Sequence, residues 1–418
     1  MTPVQVLHTA RELIEKNNIP GAYQLLTQTP DLGNTALEIE RWYLIAQISQ
    51  KQGDLKTAIK IYRKILDDQP TLAKIRFELA RCYMEMGEWY RADYHLRLAM
   101  TDNRLPDDIK SLMNSLRYLV RKNKNWNVWF NIGAAPDNNI NAAAGGTECV
   151  DTIFGPMCRD GARPETAIGI NIATGADYEF KLGDHWRWKN AATLYSNTYN
   201  KAKYNDLYIQ LQSGPRYVYN RGSVWFAGIG QRRYFGHAPY TYGTGAGIFA
   251  DYDITRRTSA AITLTYTHNK YDKFGPWMNG NTYSAGTVLS YWFDASKYII
   301  LRGGFIRENT TDKSYSYRQP GIGIGAGAEL VWGFSIYIEP YFYWTNYDDG
   351  LWYVKDGMFQ NITQRDYTRQ YSIRVMNNKL TWHGFSPALT YNFTRRTSNV
   401  WQREFSKHTI GFTIQQRF

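Results

Sequence analysis

The stretch "AITLTYTHN", residues 261 to 269, alternates between apolar and polar side chains. One face of an extended chain would carry the apolar residues Ile262, Leu264 and Tyr266. The opposite face would carry the threonines Thr263, Thr265 and Thr267. This period of two predicts a β-strand with one apolar and one polar face. The same pattern runs through "DLYIQLQ" (206 to 212) and "SIYIEPYFYW" (335 to 344).

Short turn signals divide residues 126 to 418 into long strands. They lie about 40 residues apart, in "LGDH" (182 to 185), "YNRG" (219 to 222), "TRRT" (255 to 258), "DASK" (294 to 297), "WGF" (332 to 334) and "NN" (377 to 378). Each interval holds two strands of ten or more residues and one longer polar connection, which gives fourteen strands from Trp126 onward. Strands of this length can cross a bilayer at a tilt, and aromatic residues recur near their ends as in membrane girdles.

These features predict an α plus membrane-β protein. A short helical array over residues 1–125 precedes a 14-stranded antiparallel outer-membrane β-barrel over residues 126–418. A seven-bladed propeller is the alternative, because the second part divides into seven units of about 42 residues. Propeller strands are shorter, and the Gly-His and Trp-Asp signature of common blades is missing from the sequence. No run of eighteen apolar residues occurs, so no transmembrane helix is expected.

The stretch "GIGIGAGAEL", residues 321 to 330, places four glycines on one face of a strand. We expect this face to form a smooth strip in the barrel lumen, which suits either a conduit or the seat of a plug. Residues 323 to 328 also match a dinucleotide-binding fingerprint, but alternation continues through the glycines and no helix follows, so no cofactor is expected. The predicted lumen residues are Gly321, Gly323, Gly325, Gly327, Thr263, Thr265, Thr267 and Glu339.

The C-terminal stretch "HTIGFTIQQRF", residues 408 to 418, continues the alternation. It ends on Phe418 and resembles the last strand of bacterial outer-membrane proteins, whose terminal aromatic residue is read by the barrel assembly machinery. Gln416 departs from that pattern, which usually has an apolar residue there. Phe418 is therefore the predicted assembly signal. An even strand number returns the C-terminus to the end where the helical part lies, so this part and the short turns are predicted to be periplasmic.

Residues 1 to 125 contain an internal repeat of 34 residues. The matching positions are Ala46 with Ala80, Gly53 with Gly87 and Ala58 with Ala92. Small residues at helix crossings and glycine at the turn are typical of tetratricopeptide repeats. Residues 7 to 30 resemble a degenerate first repeat, and residues 107 to 121 a closing helix. Two clear repeats fall short of the roughly three that an independent array needs, so the array should lean on another part of the chain.

Arrays of this kind bind partner segments on the concave surface made by the first helix of each pair. By repeat position, the residues predicted to face this groove and bind a client are Tyr43, Gln47, Gln50, Phe77, Arg81 and Met84. The alternative, that these side chains are solvated or pack between domains, is equally open.

The formal net charge of +12 is spread along the chain. The first 125 residues hold 19 basic and 15 acidic residues, and the remainder hold 30 and 22. Because the charges are scattered and no nucleic-acid-binding motif is present, no nucleic acid partner is expected. The seven histidines are dispersed, without His-x-x-x-His spacing or a Gly-x-Ser-x-Gly elbow. Neither a metal site nor a catalytic residue is therefore predicted.

Two of the three cysteines, Cys149 and Cys158, flank eight residues. This spacing suits a local disulfide in an oxidising compartment, with two unpaired thiols as the alternative. Cys82 lies on an apolar helix face and is expected in the core. No signal peptide is visible at residues 1 to 4, so an exported protein of this sequence would be a processed form.

Three stretches resemble the surface lipoprotein assembly modulator family, called Slam. They are "RFELARCYMEMGEWYRADYHL" (76 to 96), "NIGAAPDNNIN" (131 to 141) and "HGFSPALTYNFTRRTSN" (383 to 399). The resemblance covers nearly the whole chain, in the same order of repeats and barrel. It implies a translocator in the Gram-negative outer membrane, with clients that are surface lipoproteins or related soluble haem-binding proteins. Periplasmic chaperones and the barrel assembly machinery are further expected partners, beside outer-membrane lipid.

The resemblance also implies that the repeats hold the client and deliver it to the barrel. Passage of an incompletely folded chain through the lumen and guidance along an opened barrel seam are both compatible with this implication. A porin that exports polysaccharide or small solutes is the alternative function, because some exporters also join such repeats to a barrel. An enzyme is not expected, because Glu329 and Glu339 are more simply explained as lumen carboxylates.

Overall fold

The computed structural model describes residues 1–145, 147–152, 155–160, 162–272, 275–355, 358–377, 379–380 and 385–416. Within these ranges seven α-helices precede sixteen β-strands. The helices are α1 (Pro3–Glu15), α2 (Ile19–Gln28), α3 (Thr35–Lys51), α4 (Leu55–Asp68), α5 (Ala73–Glu85), α6 (Trp89–Ala99) and α7 (Asp107–Asn123).

The helices pack in consecutive pairs, α1 with α2, α3 with α4 and α5 with α6, and α7 closes the array on α6. The repeated small residues lie at the crossings and are fully buried, namely Ala46, Ala58, Ala80 and Ala92. Gly53 and Gly87 end α3 and α5 with φ of 80° and 74°, a conformation that glycine adopts without steric cost. The predicted tetratricopeptide-like array, with its degenerate first pair and closing helix, is confirmed.

Fourteen strands of the described chain form one closed antiparallel barrel, and β2 and β3 form a separate hairpin. The strands are β1 (Trp126–Asp137), β2 (Thr147–Thr152), β3 (Gly155–Asp160), β4 (Ala167–Lys181), β5 (Trp186–Tyr199), β6 (Asp206–Tyr219), β7 (Gly222–Phe235), β8 (Ala238–Asp253), β9 (Thr258–Tyr271), β10 (Gly280–Trp292), β11 (Lys297–Thr310), β12 (Tyr317–Glu329), β13 (Phe334–Lys355), β14 (Met358–Asn377), β15 (Phe385–Ser398) and β16 (Phe405–Gln416). The predicted fourteen-stranded barrel is confirmed, and the propeller alternative is wrong.

The alternation of side chains gives the barrel an apolar outer face. In β9, Ile262 and Leu264 are 48% and 44% exposed, whereas Thr267 on the inner face is 8% exposed. Exposed aromatic residues lie near the strand ends on the side of the helices, for example Trp126, Trp186, Phe293 and Trp332. None of the helices in the described ranges is long and apolar enough to span a bilayer.

The barrel closes where β1 pairs with β16, with Ile132 opposite Ile414 and Asp137 opposite Thr409. Because these strands are antiparallel neighbours, β1 begins and β16 ends at the same end of the barrel. The five turns predicted at residues 182 to 334 each connect two strands at this end. The turn predicted at 377 to 378 lies partly outside the described residues.

The connections at the opposite end were expected to be longer, and the one between β7 and β8 is not. Gly236 and His237 alone join β7 to β8, with φ of 58° and 66°. Two successive residues with positive φ are typical of a type I′ hairpin turn, whose twist matches that of the flanking strands. The expectation of a long connection is therefore wrong for this hairpin.

Candidate functional site

The helical array lies across the end of the barrel that carries the short turns. Arg121 in α7 donates from Nη1 to the backbone oxygen of Asn220 at 3.0 Å. In the other direction, Arg257 donates from Nη2 to the backbone oxygen of Thr101 at 2.9 Å. These contacts come from turns on different strand pairs, so the array covers this mouth of the barrel. The expectation that it leans on another part of the chain is confirmed.

Helix α6 reaches into the mouth. The hydroxyl of Tyr90 donates to Oδ2 of Asp177 at 2.8 Å, and β4 continues for four more residues to Lys181 before its turn. At a rise of about 3.3 Å per residue, Asp177 lies about 13 Å inside the barrel along the strand. One turn later in α6, Tyr94 donates to Oε1 of Glu329 at 3.0 Å. The Tyr90 side chain therefore reaches into the lumen, and the Tyr94 side chain contacts the rim of the barrel.

A chain of charges ties α6 and α7 to the rim of the barrel. Asp93 in α6 accepts from Nζ of Lys124 at 2.7 Å and from Nε of Arg117 at 3.2 Å. Arg117 also contacts Asp253, at the end of β8, with 2.8 Å between Nη1 and Oδ2. Burial alone would raise the pKa of the Asp93 carboxyl, but Lys124 and Arg117 outweigh burial and hold this pKa below its ordinary value. The cluster is ionised and serves docking.

A cavity of about 470 Å³ remains between the array and the inner wall of β10 to β14. We call it the junction cavity. Its charged and aromatic lining residues are Arg63, Asp67, Arg76, Tyr94, His95 and Arg97 from the array, and Trp292, Tyr298, Glu329, Tyr337 and Arg374 from the barrel. Both domains therefore contribute arginines to one partly open cavity at the mouth.

The predicted groove residues lie on α3 and α5, but Tyr43 is not on the surface. Tyr43 is 5% exposed within the core, and its hydroxyl accepts from Nε2 of Gln47 at 2.6 Å. Burial raises the pKa of the Tyr43 phenol. Tyr43 does not face an open groove as predicted, because its ring lies beside Tyr62 of α4 and the ammonium of Lys74 lies over it.

The other predicted groove residues keep accessible surface. Gln47, Gln50, Phe77 and Met84 are half-buried, and the Arg81 side chain is 49% exposed. Gln50 donates from Nε2 to Oε1 of Glu85 at 3.1 Å, which links α3 to α5 across the surface. Client binding by these five residues stays a prediction.

The predicted glycine strip faces inward but is not bare. Rings from neighbouring strands lie over it: a Cβ at Gly321 or Gly323 would meet Tyr341, a Cβ at Gly325 would meet Tyr337, and a Cβ at Gly327 would meet Tyr298. The expected smooth strip is therefore wrong, because the glycines make room for tyrosines on the adjacent strands β11 and β13.

The remaining predicted lumen residues also lie on the inner face. Thr263 and Thr265 are half-buried, and Thr267 is buried. Glu339 accepts from the hydroxyl of Tyr337 at 2.5 Å and pairs with Nε of Arg302 at 2.6 Å. Glu339 is therefore neutralised within the wall, and its role in transport stays a prediction.

The disulfide and the assembly signal predicted from the sequence involve side chains outside the described part of the structure. In the β2–β3 hairpin, Cys149 stands directly opposite Cys158 in the backbone register. Their side chains are outside the described part of the structure, so the disulfide stays a prediction. Phe418 lies outside the described residues. No group of three or more His, Cys, Asp or Glu side chains that could hold a metal occurs in the part of the chain that is described.

Sequence reasoning missed the arginines of the junction cavity. Arg97 and Arg374 belong to different domains, and nothing in the sequence places them together. A partial signal existed: Asp253 and Glu329 are carboxylates at the last positions of strands, beside the short turns. Acidic residues at the strand ends on this side of the barrel could have indicated that a basic helix face docks there.

A closed antiparallel barrel with an apolar outer face and a helical repeat array on one mouth defines an outer-membrane barrel protein with an appended helical repeat domain. Residues 126–418 match the family model described as Surface lipoprotein assembly modifier, and residues 50–116 match the tetratricopeptide repeat model. The chain belongs to the surface lipoprotein assembly modifier family. The resemblance noted in the sequence is confirmed, and the protein is located in the outer membrane.

Relatives across several bacteria match most of the chain. A surface lipoprotein assembly modifier of Pasteurella multocida (strain Pm70) is 23% identical, over 89% of this chain and 75% of the relative. The protein of the same name from Moraxella catarrhalis is 24% identical, over 98% of this chain and 80% of the relative. The hemophilin secretion modulator of Acinetobacter baumannii is 20% identical, over 89% of this chain and 77% of the relative.

Proposed function

We propose that the protein delivers client proteins from the periplasm to the cell surface. The clients are surface lipoproteins or related secreted proteins that bind haem, as the names of the family and of the Acinetobacter baumannii relative suggest. The helical array stands in the periplasm and holds the client, and the barrel provides the route. The family and the barrel fold indicate a translocation or assembly role and not catalysis.

The observation that carries this proposal is the position of α6 inside the mouth. Because Tyr90 contacts Asp177 within the barrel and Arg76 of α5 contacts Glu329 at its rim, a client bound on α3 and α5 would be held beside the lumen. A binding array that only captured proteins would not need a side chain that reaches into the pore. Docking at this depth also implies that the array must shift before a polypeptide enters through the centre of the mouth.

The test is transport by the full-length protein in liposomes. Candidate lipoproteins are enclosed, and their exposure to external protease is scored against liposomes without the protein. We expect exposure only when the protein is present, and a several-fold lower rate for Gln47→Ala/Arg81→Ala on the groove. Lys56→Ala, an exposed residue of α4, is the matched control and should leave the rate unchanged.

Two results would contradict the proposal. Equal exposure in liposomes without the protein would show that the client crosses unaided. Absence of exposure together with steady conductance of ions or sugars would favour the polysaccharide or small-solute exporter.

A further inference from the structure

The junction cavity carries more positive than negative side chains. Four arginines line it, against the two carboxylates of Asp67 and Glu329. One of these carboxylates is committed, because Glu329 accepts from Nη2 of Arg76 at 2.5 Å. Arg76 in turn donates from Nε to the backbone oxygen of Pro70 at 2.8 Å. This pair therefore neutralises itself.

The positive side chains of the cavity include Arg97 and Arg374. In the described part of the chain, no carboxylate lies within ion-pair distance of either side chain. Each guanidinium instead lies over an aromatic ring, Arg97 at 5.5 Å from the centroid of Trp292 and Arg374 at 5.5 Å from that of Tyr337. The Nε atom of Arg97 is buried, and within the same described ranges it has no hydrogen-bond acceptor.

Such an arrangement favours an anion. A guanidinium without a carboxylate partner favours an incoming carboxylate, because hydrogen bonds between two charged groups are stronger than those between neutral groups. Guanidinium groups bind carboxylates through two parallel hydrogen bonds, and a ring beneath the guanidinium leaves its edge free for them. A volume of about 470 Å³ falls within the range of ordinary ligand pockets.

The direction of the lining residues distinguishes between possible ligands. Trp292, Tyr298 and Tyr337 belong to the inner face, since they share it with the glycines that they cover or neighbour across strands. The bilayer lies on the opposite face of the same strands. A polypeptide that approaches the lumen from the array therefore reaches this cavity more directly than a phospholipid does.

We propose that the junction cavity binds an acidic segment of the client polypeptide. Arg97 and Arg374 take its carboxylates, and Trp292 and Tyr298 contact the adjoining chain. That the acidic segment belongs to a transported client rests on the proposed function. That the cavity binds an acidic peptide does not. Since one arginine comes from α6 and the other from β14, the segment would bridge the array and the barrel as it is handed over.

The test measures peptide binding to the full-length protein in detergent. The probe is a fluorescent peptide of glycine, serine and aspartate, and its partner has every aspartate replaced by asparagine. We expect the aspartate peptide to bind at least about tenfold more tightly, and Arg97→Gln/Arg374→Gln to remove this difference. Arg97→Lys/Arg374→Lys keeps both positive charges but loses the planar guanidinium groups. This variant should retain part of the difference in affinity between the two peptides.

Arg256→Gln is the matched control, because Arg256 is an exposed arginine in a short turn at the same end of the barrel. Equal loss of binding in this variant would overturn the proposal, since the aspartate peptide would then be attracted by positive charge anywhere at this end of the barrel. Equal binding of the two peptides by the unaltered protein would overturn it as well. So would displacement of the aspartate peptide by phosphatidylglycerol micelles but not by phosphatidylcholine micelles, which would assign the cavity to lipid.

The liposome assay separates this inference from the proposed function. If the unaltered protein exposes its client and the double glutamine variant binds peptide normally, the cavity proposal fails and the function stands. If the peptide results are as expected and no client is exposed, the function fails and the binding site stands.

Discussion

Arg76 on α5 and Glu329 at the end of β12 form an ion pair, with 2.5 Å between Nη2 and Oε2. The Arg76 side chain is 2% exposed, and the second oxygen of Glu329 accepts from the hydroxyl of Tyr94 at 3.0 Å. Both carboxylate oxygens of a barrel residue are thus used by the helical array. We therefore expect the docked position of the array to depend on Glu329 more than on the exposed pairs at the rim.

Glu329→Gln should loosen the docked array. The amide keeps the shape and one acceptor but removes the charge that balances Arg76, so we expect docking to weaken by about 1–3 kcal/mol. The measurement is the rate of limited proteolysis within residues 1–125 of the full-length protein, while the heat stability of the barrel is followed separately.

Asp68→Asn is the control for that experiment. Asp68 pairs with Lys379, and both side chains are about half exposed, at 51% and 40%. Exposed pairs contribute about 0–1 kcal/mol, so proteolysis should barely change. Equal acceleration in the two variants would show that Glu329 has no special part in docking.

Gly325→Ala should destabilise the barrel. A Cβ at this position would overlap the ring and hydroxyl of Tyr337, and forced displacement of a packed ring typically costs about 1–3 kcal/mol. Gly286→Ala is the matched control, because only Thr263 comes near its added Cβ, at 3.9 Å. The measurement is the urea midpoint of barrel unfolding in lipid vesicles. A loss in Gly286→Ala as large as in Gly325→Ala would show that added bulk at Tyr337 is not the cause.

The glycine strip shows which part of the fold the sequence could predict. Alternation within a strand determined that the glycines face inward, because side-chain direction has a period of two. The tyrosines that cover them belong to other strands, and their position depends on register, which places Tyr341 opposite Gly323. The sequence of one strand does not determine its register with a neighbouring strand. The tyrosines over the glycines were therefore not predicted, and the glycine strip was expected to be bare.

The array shows the same limit at longer range. The repeat spacing predicted the helix pairs and their buried alanines, since those contacts lie within one or two repeats. It did not predict that Tyr43 is buried, because the repeat spacing locates the helices but does not determine how deeply each side chain is buried. The contact between Arg97 and Trp292 joins two domains, and no local pattern encodes it.

The Asp93 cluster predicts a defined response to acid. Burial would raise the pKa of the Asp93 carboxyl, but in the folded protein Lys124 and Arg117 hold this pKa below the ordinary 3.8. A carboxyl with a depressed pKa adds stability at pH above its unfolded value, and this contribution is lost as the pH falls through the lower, folded value. The array should therefore keep its thermal stability down to about pH 5 and lose it progressively below about pH 4.

Asp93→Asn tests whether that response belongs to this residue. At neutral pH the variant should be less stable by about 1–3 kcal/mol, because Lys124 and Arg117 lose their charged acceptor. Its further loss in acid should be smaller than that of the unaltered protein. Circular dichroism melts across pH measure both effects, with Asp107→Asn, whose side chain is 94% exposed, as the control. An unchanged acid response in Asp93→Asn would assign it to other carboxylates.

Cys149 and Cys158 should form a disulfide in protein isolated without reductant. They are direct partners in the β2–β3 register, and opposed residues of an antiparallel pair are close enough for a bridge after small adjustments. Peptide mapping by mass spectrometry should recover them as one linked peptide that Cys149→Ser abolishes. Cys82, which is buried in the helical core, should be recovered unlinked. Recovery of Cys158 as a free thiol under these conditions would contradict the prediction.

Leu264→Arg and Thr265→Arg, adjacent on β9, test which face of the barrel meets lipid. Leu264 is 44% exposed on the outer face, and Thr265 is half-buried on the inner face. An arginine on the lipid face costs about 2–4 kcal/mol near the middle of the bilayer, whereas lumen positions accept charge at a much lower cost. Leu264→Arg should therefore lower the free energy of folding into vesicles by about that amount, and Thr265→Arg by clearly less. Because the two side chains come from neighbouring residues, strand length, depth and loop contacts are nearly matched between the variants. The reverse order would mean that the apolar face of β9 points into the lumen, and the threonine face would then have to meet lipid.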